Sequence, residues 1–468
     1  MRLGYALKRF RDVARAGLML KKLNARDGWT REELAEFQSR RLLSLVAHAK
    51  ERSPFYRELY RNVKTDGPVK LEDLPIMDKA TVMDNFDQLV TDPRLKLTEL
   101  HTHLGQLTRD EYYLGEYRVL TTSGSSGLKG VFVFNRREWS TVLAGSFRAG
   151  FMMGITSRFP SRWKITWIGA DSPMHVSQRM AESTDLGHTK VQRLNATSRI
   201  SDLVDALNAF QPEVLLTYPS IASLLAIEQM EGRLSIHPQV VETGAEVRTT
   251  EMTQNIREAW GITPFNLYGT TEAGAFNVDC ALHRGIHLFE DLWIAEVVDA
   301  QNRPVPDGSR GHKVLATNLF NYTQPLIRYE VGDMLTVSPD PCSCGRPFQL
   351  VEEVLGRSDD IAYLPGPGGR EVPVHPIHFH DALGALPEVK EYRVLHDDHG
   401  IAVTVVLRAQ TSEEGVADKL TANLSMRLAS LGAECPAMHV CFVDRIDRDA
   451  STMGKLKLVT SHVKALGV

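Results

Sequence analysis

Along the chain the apolar positions change period several times, and each change marks a different kind of element. Between about residues 30 and 60, Leu34, Phe37, Leu42, Leu43, Val46 and Ala47 fall near one face with Arg and Glu between them, until Ser53-Pro54 breaks the pattern. That 3.6-residue repeat predicts an amphipathic helix. Short β-rich runs follow at 117–120 and 131–134, around a loop made almost wholly of Thr, Ser and Gly. From about 136 to 270, apolar runs at 163–168 and 214–218 alternate with helical repeats at 200–210 and 221–230. Such alternation predicts an α/β fold with a mostly parallel sheet. From 286 to 337 the pattern is strand-rich, as at 292–298 and 313–317, which predicts a β-rich subdomain. The last hundred residues set strand runs at 389–395, 401–407 and 438–443 around a helix at 416–431, a small α+β unit joined at a Gly/Arg/Asp turn. The predicted division is a large N-terminal domain, 1–355, and a small C-terminal domain, 356–468.

Composition narrows the class. A chain of 468 residues is too long for one ordinary core, and 43% hydrophobic with 24% charged residues is globular. The net charge of -4 gives no basic field for nucleic acid, and no apolar run is long enough for a spanning helix. At the start, Arg2, Lys8, Arg9, Arg11, Arg15, Lys21 and Lys22 accompany Leu3, Leu7, Phe10, Ala14 and Leu18 at helical spacing. The expectation is a helix laid against the domain; a basic amphipathic helix on an anionic membrane, or an import signal, is the alternative. Without a long apolar run or a small-residue cleavage site, the cytoplasm is the expected location. Oligomeric state is not legible, and a homodimer stays open.

Two constellations carry chemistry. The first is Thr121-Thr122-Ser123-Gly124-Ser125-Ser126-Gly127-Leu128-Lys129-Gly130. Glycines let backbone close around an anion, while hydroxyls, N–H groups and a lysine satisfy phosphate oxygens. A flexible surface turn is the plain alternative. The second is Cys280-Ala281-Leu282-His283 with Cys342-Ser343-Cys344-Gly345, which offers three thiolates and an imidazole to a closed tetrahedral zinc. His287 is an alternative to His283, and two unrelated turns are the plain reading. Five cysteines, an odd number, argue against a disulfide framework, and Cys435 and Cys441 read as packing residues.

From the Ser/Gly loop onward the chain resembles the adenylate-forming superfamily of acyl-CoA ligases, adenylation domains and luciferases. The loop resembles [ST]SG[ST][ST]GxPKG, with Leu128 in place of proline; Gly244-Ala245-Glu246 resembles the adenine-lining segment. Tyr268-Gly269-Thr270-Thr271-Glu272 matches YGxTE, Arg328 to Asp333 resembles RYxxGD, and Gly356-Arg357-Ser358-Asp359-Asp360 resembles the GRxDD hinge. Ser451-Thr452-Met453-Gly454-Lys455 resembles the loop of the catalytic lysine. Within the superfamily, Ser53-Pro54-Phe55-Tyr56-Arg57 is similar to the opening of the phenylacetate–CoA ligase branch, which includes capsule-associated relatives and in part carries similar Cys/His pairs.

The resemblance implies ATP-dependent activation of a carboxylic acid to an acyl-adenylate, then acyl transfer to coenzyme A. Joining two anions demands cations and donors where charge develops. By resemblance, the loop from Thr122 to Lys129 holds the β- and γ-phosphates, Thr271 donates to the α-phosphate, and Glu272 ligates Mg²⁺. Tyr268 faces adenine, Asp333 accepts from the ribose hydroxyls, Arg357 reaches ribose or phosphate, and Lys455 is the catalytic cation. Asp359 is the hinge of a mobile C-terminal domain. The acid pocket is expected around Trp167, Met174 and His175, with room for an aromatic or medium apolar acid. The Pro/Gly-rich stretch at 361–370, followed by 372–376, departs from dedicated CoA ligases, so transfer to a carrier protein, amine or hydroxyl is the alternative. A nucleotide-binding protein without catalysis is disfavoured by the intact Glu272, Asp333 and Lys455.

Overall fold

The computed structural model describes residues 3–122, 130–158, 161–169, 172, 174–184, 189–384, 386–448 and 454–463. The first helix, Leu3–Arg26, lies along Arg136–Met152 and buries Asp12, Ala16 and Leu23. Arg136 donates to both Asp12 oxygens and Arg148 donates to the Leu23 carbonyl, while Leu7, Phe10 and Leu18 stay exposed. The basic helix is therefore laid against the domain by a buried acid. Arg26 and Arg148 converge on Asp291, and Arg31 in the next helix pairs with Glu290. That second helix, Arg31–Arg52, opens on a reciprocal Thr30/Glu33 capping box. Ser53 caps the following turn, where Pro54 needs no N–H donor.

A nine-stranded sheet forms the centre. Its parallel half runs Lys190–Asn195, Lys164–Gly169, Val214–Thr217, Val240–Gly244 and Phe265–Thr270, with helices Ile200–Phe210, Pro219–Met230 and Thr250–Trp260 as crossovers. Beyond Thr270 the order turns antiparallel, through Ala275–Asp279, Ile286–His287, Leu350–Arg357 and Asp333–Val337. Only four residues separate Thr270 from Ala275, too few for the crossover a parallel neighbour needs. The tight turn they make sits at the carboxyl ends of the parallel strands, where open α/β sheets receive ligands. The β-rich part is a separate three-stranded sheet of Trp293–Val298, Lys313–Asn318 and Tyr329–Val331. Arg328 ties it down with two hydrogen bonds to Glu296 and one to the Leu74 carbonyl.

A second apolar core spans Ala362 to Val459. It packs Pro376–Leu383 and Val416–Ser430 on a sheet of Met438–Phe442, Gly400–Leu407, Val389–Asp397 and Val459–Ser461. The three-residue strand Val459–Ser461 carries too short a pattern to be read from sequence. Met252, on helix Thr250–Trp260, reaches into this core from the large domain. No described helix is long and apolar enough to cross a membrane.

Candidate active site

A cavity of about 1150 Å³ opens over the carboxyl ends of the parallel strands, between the two cores. Its walls include Thr122, Gly244 to Glu246, Tyr268 to Glu272, Asp333, Arg357 and Lys455. Residues predicted from segments more than 300 positions apart thus share one space. The hairpin Tyr117–Thr121 and Val131–Asn135 delivers the Ser/Gly loop: Thr122 N–H donates to the Gly130 carbonyl, and its hydroxyl accepts from Gly130 N–H. Ser123, Gly124, Ser125, Ser126, Gly127 and Lys129 lie outside the described residues.

Local backbone explains the sequence of the Gly244-Ala245-Glu246 segment. A Cβ on Gly244 would stand 2.8 Å from the Leu267 carbonyl oxygen, so only glycine fits beside that strand. Ala245 follows with φ of 68°, a left-handed residue at a cavity wall. Thr271 and Glu272 ride on the hairpin turn, which Thr270 closes by accepting from Ala273 N–H. Their pattern is a turn here, not the cap of a helix.

Asp333 is held from both sides: the Tyr268 hydroxyl donates to one oxygen at 3.0 Å and Arg357 to the other at 3.3 Å. Burial pushes the Glu272 carboxyl up and the nearby Asp333 adds to that, against Arg357 and Lys79. A half-buried carboxylate on the wall of this space, with a second acid nearby, is a donor set that suits a hard cation. Lys455 is enclosed, and burial lowers its pKa while Glu246, Asp333 and Glu272 favour its charged form. Those four groups therefore act on one another electrostatically. Arg357 also reaches Asp359 at 3.6 Å; Asp359 itself is exposed, while Asp360 is buried against Lys457.

Glu246 joins the two cores. One oxygen accepts from the Ser220 hydroxyl at 2.6 Å, and the other from Leu456 N–H at 2.6 Å, beside Lys455. Arg448 spans the same boundary, donating to the Ser220 hydroxyl at 2.9 Å and to Glu391 at 3.0 Å. Farther out, Arg408 donates to Asn255 and Lys390 to Glu228. The segment carrying Lys455 is thus pinned to the Gly244–Glu246 segment by buried charge.

Trp167, His175, Tyr218 and Glu242 also line the cavity. The His175 ring meets the Thr121 carbonyl at 3.3 Å, whereas Met174 packs on the main core and gives its carbonyl to Thr121 N–H.

The cysteines gather at the antiparallel end of the sheet. Ligand atoms of Cys280, His287, Cys342 and Cys344 all lie within 4.8 Å of one another. Cys280 Sγ is 3.8 Å from Cys342 Sγ, and Cys344 Sγ is 3.5 Å from His287 Nε2. A tetrahedron with metal–sulfur bonds of about 2.3 Å has edges of about 3.8 Å, so the donors fit zinc. The imidazole differs from the one expected. His283 lies in a tight turn with φ of 50°, and its Nδ1 bonds Asp279 at 2.7 Å while its ring packs on Phe265. Strand Ile286–His287 pairs with Leu350–Arg357, which brings His287 to the cysteines instead.

Sequence reading missed Lys79, Glu242, Ser220 and Arg448. Lys79 follows an ordinary Asp78 N-cap and Arg448 sits in a charged tail, so neither carries a local signal. Glu242 did offer one: a lone acid inside the apolar run Val240-Val241-Glu242.

No protein-family model matches the chain. A phenylacetate–coenzyme A ligase of Thermus thermophilus is 30% identical over 401 residues, covering 82% of this chain and 82% of its own. A phenylacetate–coenzyme A ligase of Escherichia coli is 26% identical over 362 residues, covering 72% and 74%. Among solved structures, a 2-hydroxyisobutyryl-CoA ligase in the postadenylation state, in complex with 2-HIB-AMP, matches with a TM-score of 0.74. It is 20% identical and covers 93% of this chain and 91% of its own.

Proposed function

The chain belongs to the phenylacetate–coenzyme A ligase family of AMP-forming acid–thiol ligases, and on that premise we propose that it adenylates an aromatic or medium apolar carboxylic acid and passes the acyl group to coenzyme A. The observation that carries this reading is the convergence of Thr122, Glu272, Asp333, Arg357 and Lys455 on one cavity. In the first half-reaction a carboxylate oxygen attacks the α-phosphorus of ATP, and pyrophosphate leaves. Lys455 offsets the charge that gathers between the two anions, and Thr271 donates to the α-phosphate. Asp333, held by Tyr268 and Arg357, accepts from the ribose hydroxyls. Glu272 would hold Mg²⁺, which supplies positive charge to the phosphates. In the second half-reaction the thiol of coenzyme A attacks the acyl carbonyl, and AMP leaves.

Lys455 serves only the first half-reaction in this scheme, so the small domain rotates about Asp359 between the two. The Glu246–Leu456 and Arg448–Ser220 bonds, which span the two cores, support the present arrangement as the adenylating one. Cys280, His287, Cys342 and Cys344 would hold a structural zinc, since four protein ligands leave no open position for chemistry.

The deciding experiment measures pyrophosphate release from ATP across a panel of acids, with and without coenzyme A. Acid-dependent pyrophosphate followed by a CoA thioester is the expected result. Pyrophosphate without any thioester removes coenzyme A and favours a carrier protein or small nucleophile. No acid-dependent pyrophosphate at all removes the reading.

A further inference from the structure

Glu242 lies on the interior strand Val240–Gly244, aligned with Leu216 on one side and Phe265 on the other; Trp167 aligns with Leu216 in turn. Aligned residues of parallel strands project from the same face, so Glu242 stands in a row of apolar side chains. Its side chain lines the cavity shared with Trp167, His175 and Tyr218, and the surface it keeps accessible belongs to that cavity. Among the described residues it makes no hydrogen bond and no ion pair. Burial pushes its carboxyl up to about 7, and the like charge of Asp279 adds to this.

A carboxyl without partners among apolar walls is costly, and packing would be served as well by leucine. Such a group is satisfied when a ligand brings it a donor. Glu242 comes two residues before Gly244, so it stands roughly 7 Å deeper along the strand than the nucleotide-facing segment. A group reaching it belongs to the acid rather than to ATP.

Resting on the adenylation reading above, we propose that Glu242 selects the acid: the substrate carries an amine or hydroxyl on its far end, and Glu242 accepts the hydrogen bond from it. The body of the acid packs against Trp167 and the neighbouring apolar row. A site built to bond a donor rejects the analogue lacking it, because the protein group is then left unpaired.

The test compares matched acids by kcat/KM for pyrophosphate release: phenylacetic acid with its hydroxyl and aminomethyl derivatives, and hexanoic acid with 6-hydroxy- and 6-aminohexanoic acids. The native enzyme should prefer the best donor-bearing acid over its parent by about 100-fold. Glu242→Leu should abolish that preference and raise the rate with the parent acid. Glu242→Gln, nearly isosteric, should keep the hydroxyl acids and lose the advantage of the amines. The proposal is overturned if parent acids are used as well as donor-bearing ones, or if neither variant changes the ranking. Should no acid of either set release pyrophosphate from the native enzyme, the adenylation reading fails and takes this one with it.

Discussion

Glu242 and Glu246 stand four residues apart, in the middle of one strand and in the loop that continues it, and burial raises both carboxyls above their ordinary range. Their surroundings differ in kind. Glu246 accepts from Ser220 and Leu456 and has Arg448 beside it, so its charged form is supported by groups from both cores. Glu242 stands between Leu216 and Phe265 on the cavity wall, and the charge that acts on it is the like charge of Asp279. The same residue type does two jobs here. Where the protein supplies the partners, a buried acid fixes one part of the molecule to another; where it withholds them, the acid waits for a ligand.

Four experiments probe that contrast. The largest effect belongs to Lys455, which follows the Glu246 contact through Leu456. Lys455→Ala should slow acid-dependent pyrophosphate release about 100- to 1000-fold, while ATP affinity measured by calorimetry stays nearly unchanged. Equal release would remove Glu246 from the reacting end. Next comes Arg448→Met, which leaves Glu391 and Glu246 without their shared cation. It should slow adenylation about 10-fold and leave thioester formation from a supplied acyl-adenylate intact. Glu242→Leu should show no such split between half-reactions, and a matching split would erase the distinction.

The third effect is on stability. A carboxyl raised from 4.5 to about 7 keeps a proton in the folded state that the unfolded chain has already released. Its stabilisation is complete below about 4.5 and is lost as pH rises through about 7, at most about 1.4 kcal/mol per pH unit. Glu242→Gln should therefore flatten the decline in melting temperature between pH 5 and 7. Glu246→Gln should flatten it less, because Arg448, Ser220 and Leu456 favour the charged form. Identical slopes would mean the two environments are alike. The smallest expected effect on either acid comes from Cys342→Ser. It should reduce bound zinc in metal analysis while leaving the ranking of acids as in the native enzyme. A changed ranking would link the metal end of the sheet, through Asp279 beside Cys280, to Glu242.

What sequence could carry was local and ordered. The site motifs are in part backbone devices: Gly244 fits against the Leu267 carbonyl only without a Cβ, and Gly274 takes a positive φ in the turn after Thr270. Helices with a strong apolar repeat, such as 200–210 with Leu203, Val204 and Leu207 buried on one face, were likewise readable. The mostly parallel sheet was readable from its crossovers, but the antiparallel extension depended on a four-residue turn whose partner strands lie far along the chain. His283 looked like a ligand because it is near Cys280 in sequence; β pairing chose His287. Arg448 and Lys79 acquire meaning only when distant segments close on the cavity, so no local pattern could mark them.

The long reach of the first two helices has a bearing on how the molecule is made. Arg26 waits for Asp291, and Arg31 for Glu290 and the Pro347 carbonyl, so these contacts cannot form until most of the large domain has left the ribosome. The first helix can dock earlier, on Arg136–Met152, while the second relies on its own turns, a task the Thr30/Glu33 cap suits. Contacts of such long sequence separation close late, and they leave these arginines without their partners while the large domain is being made.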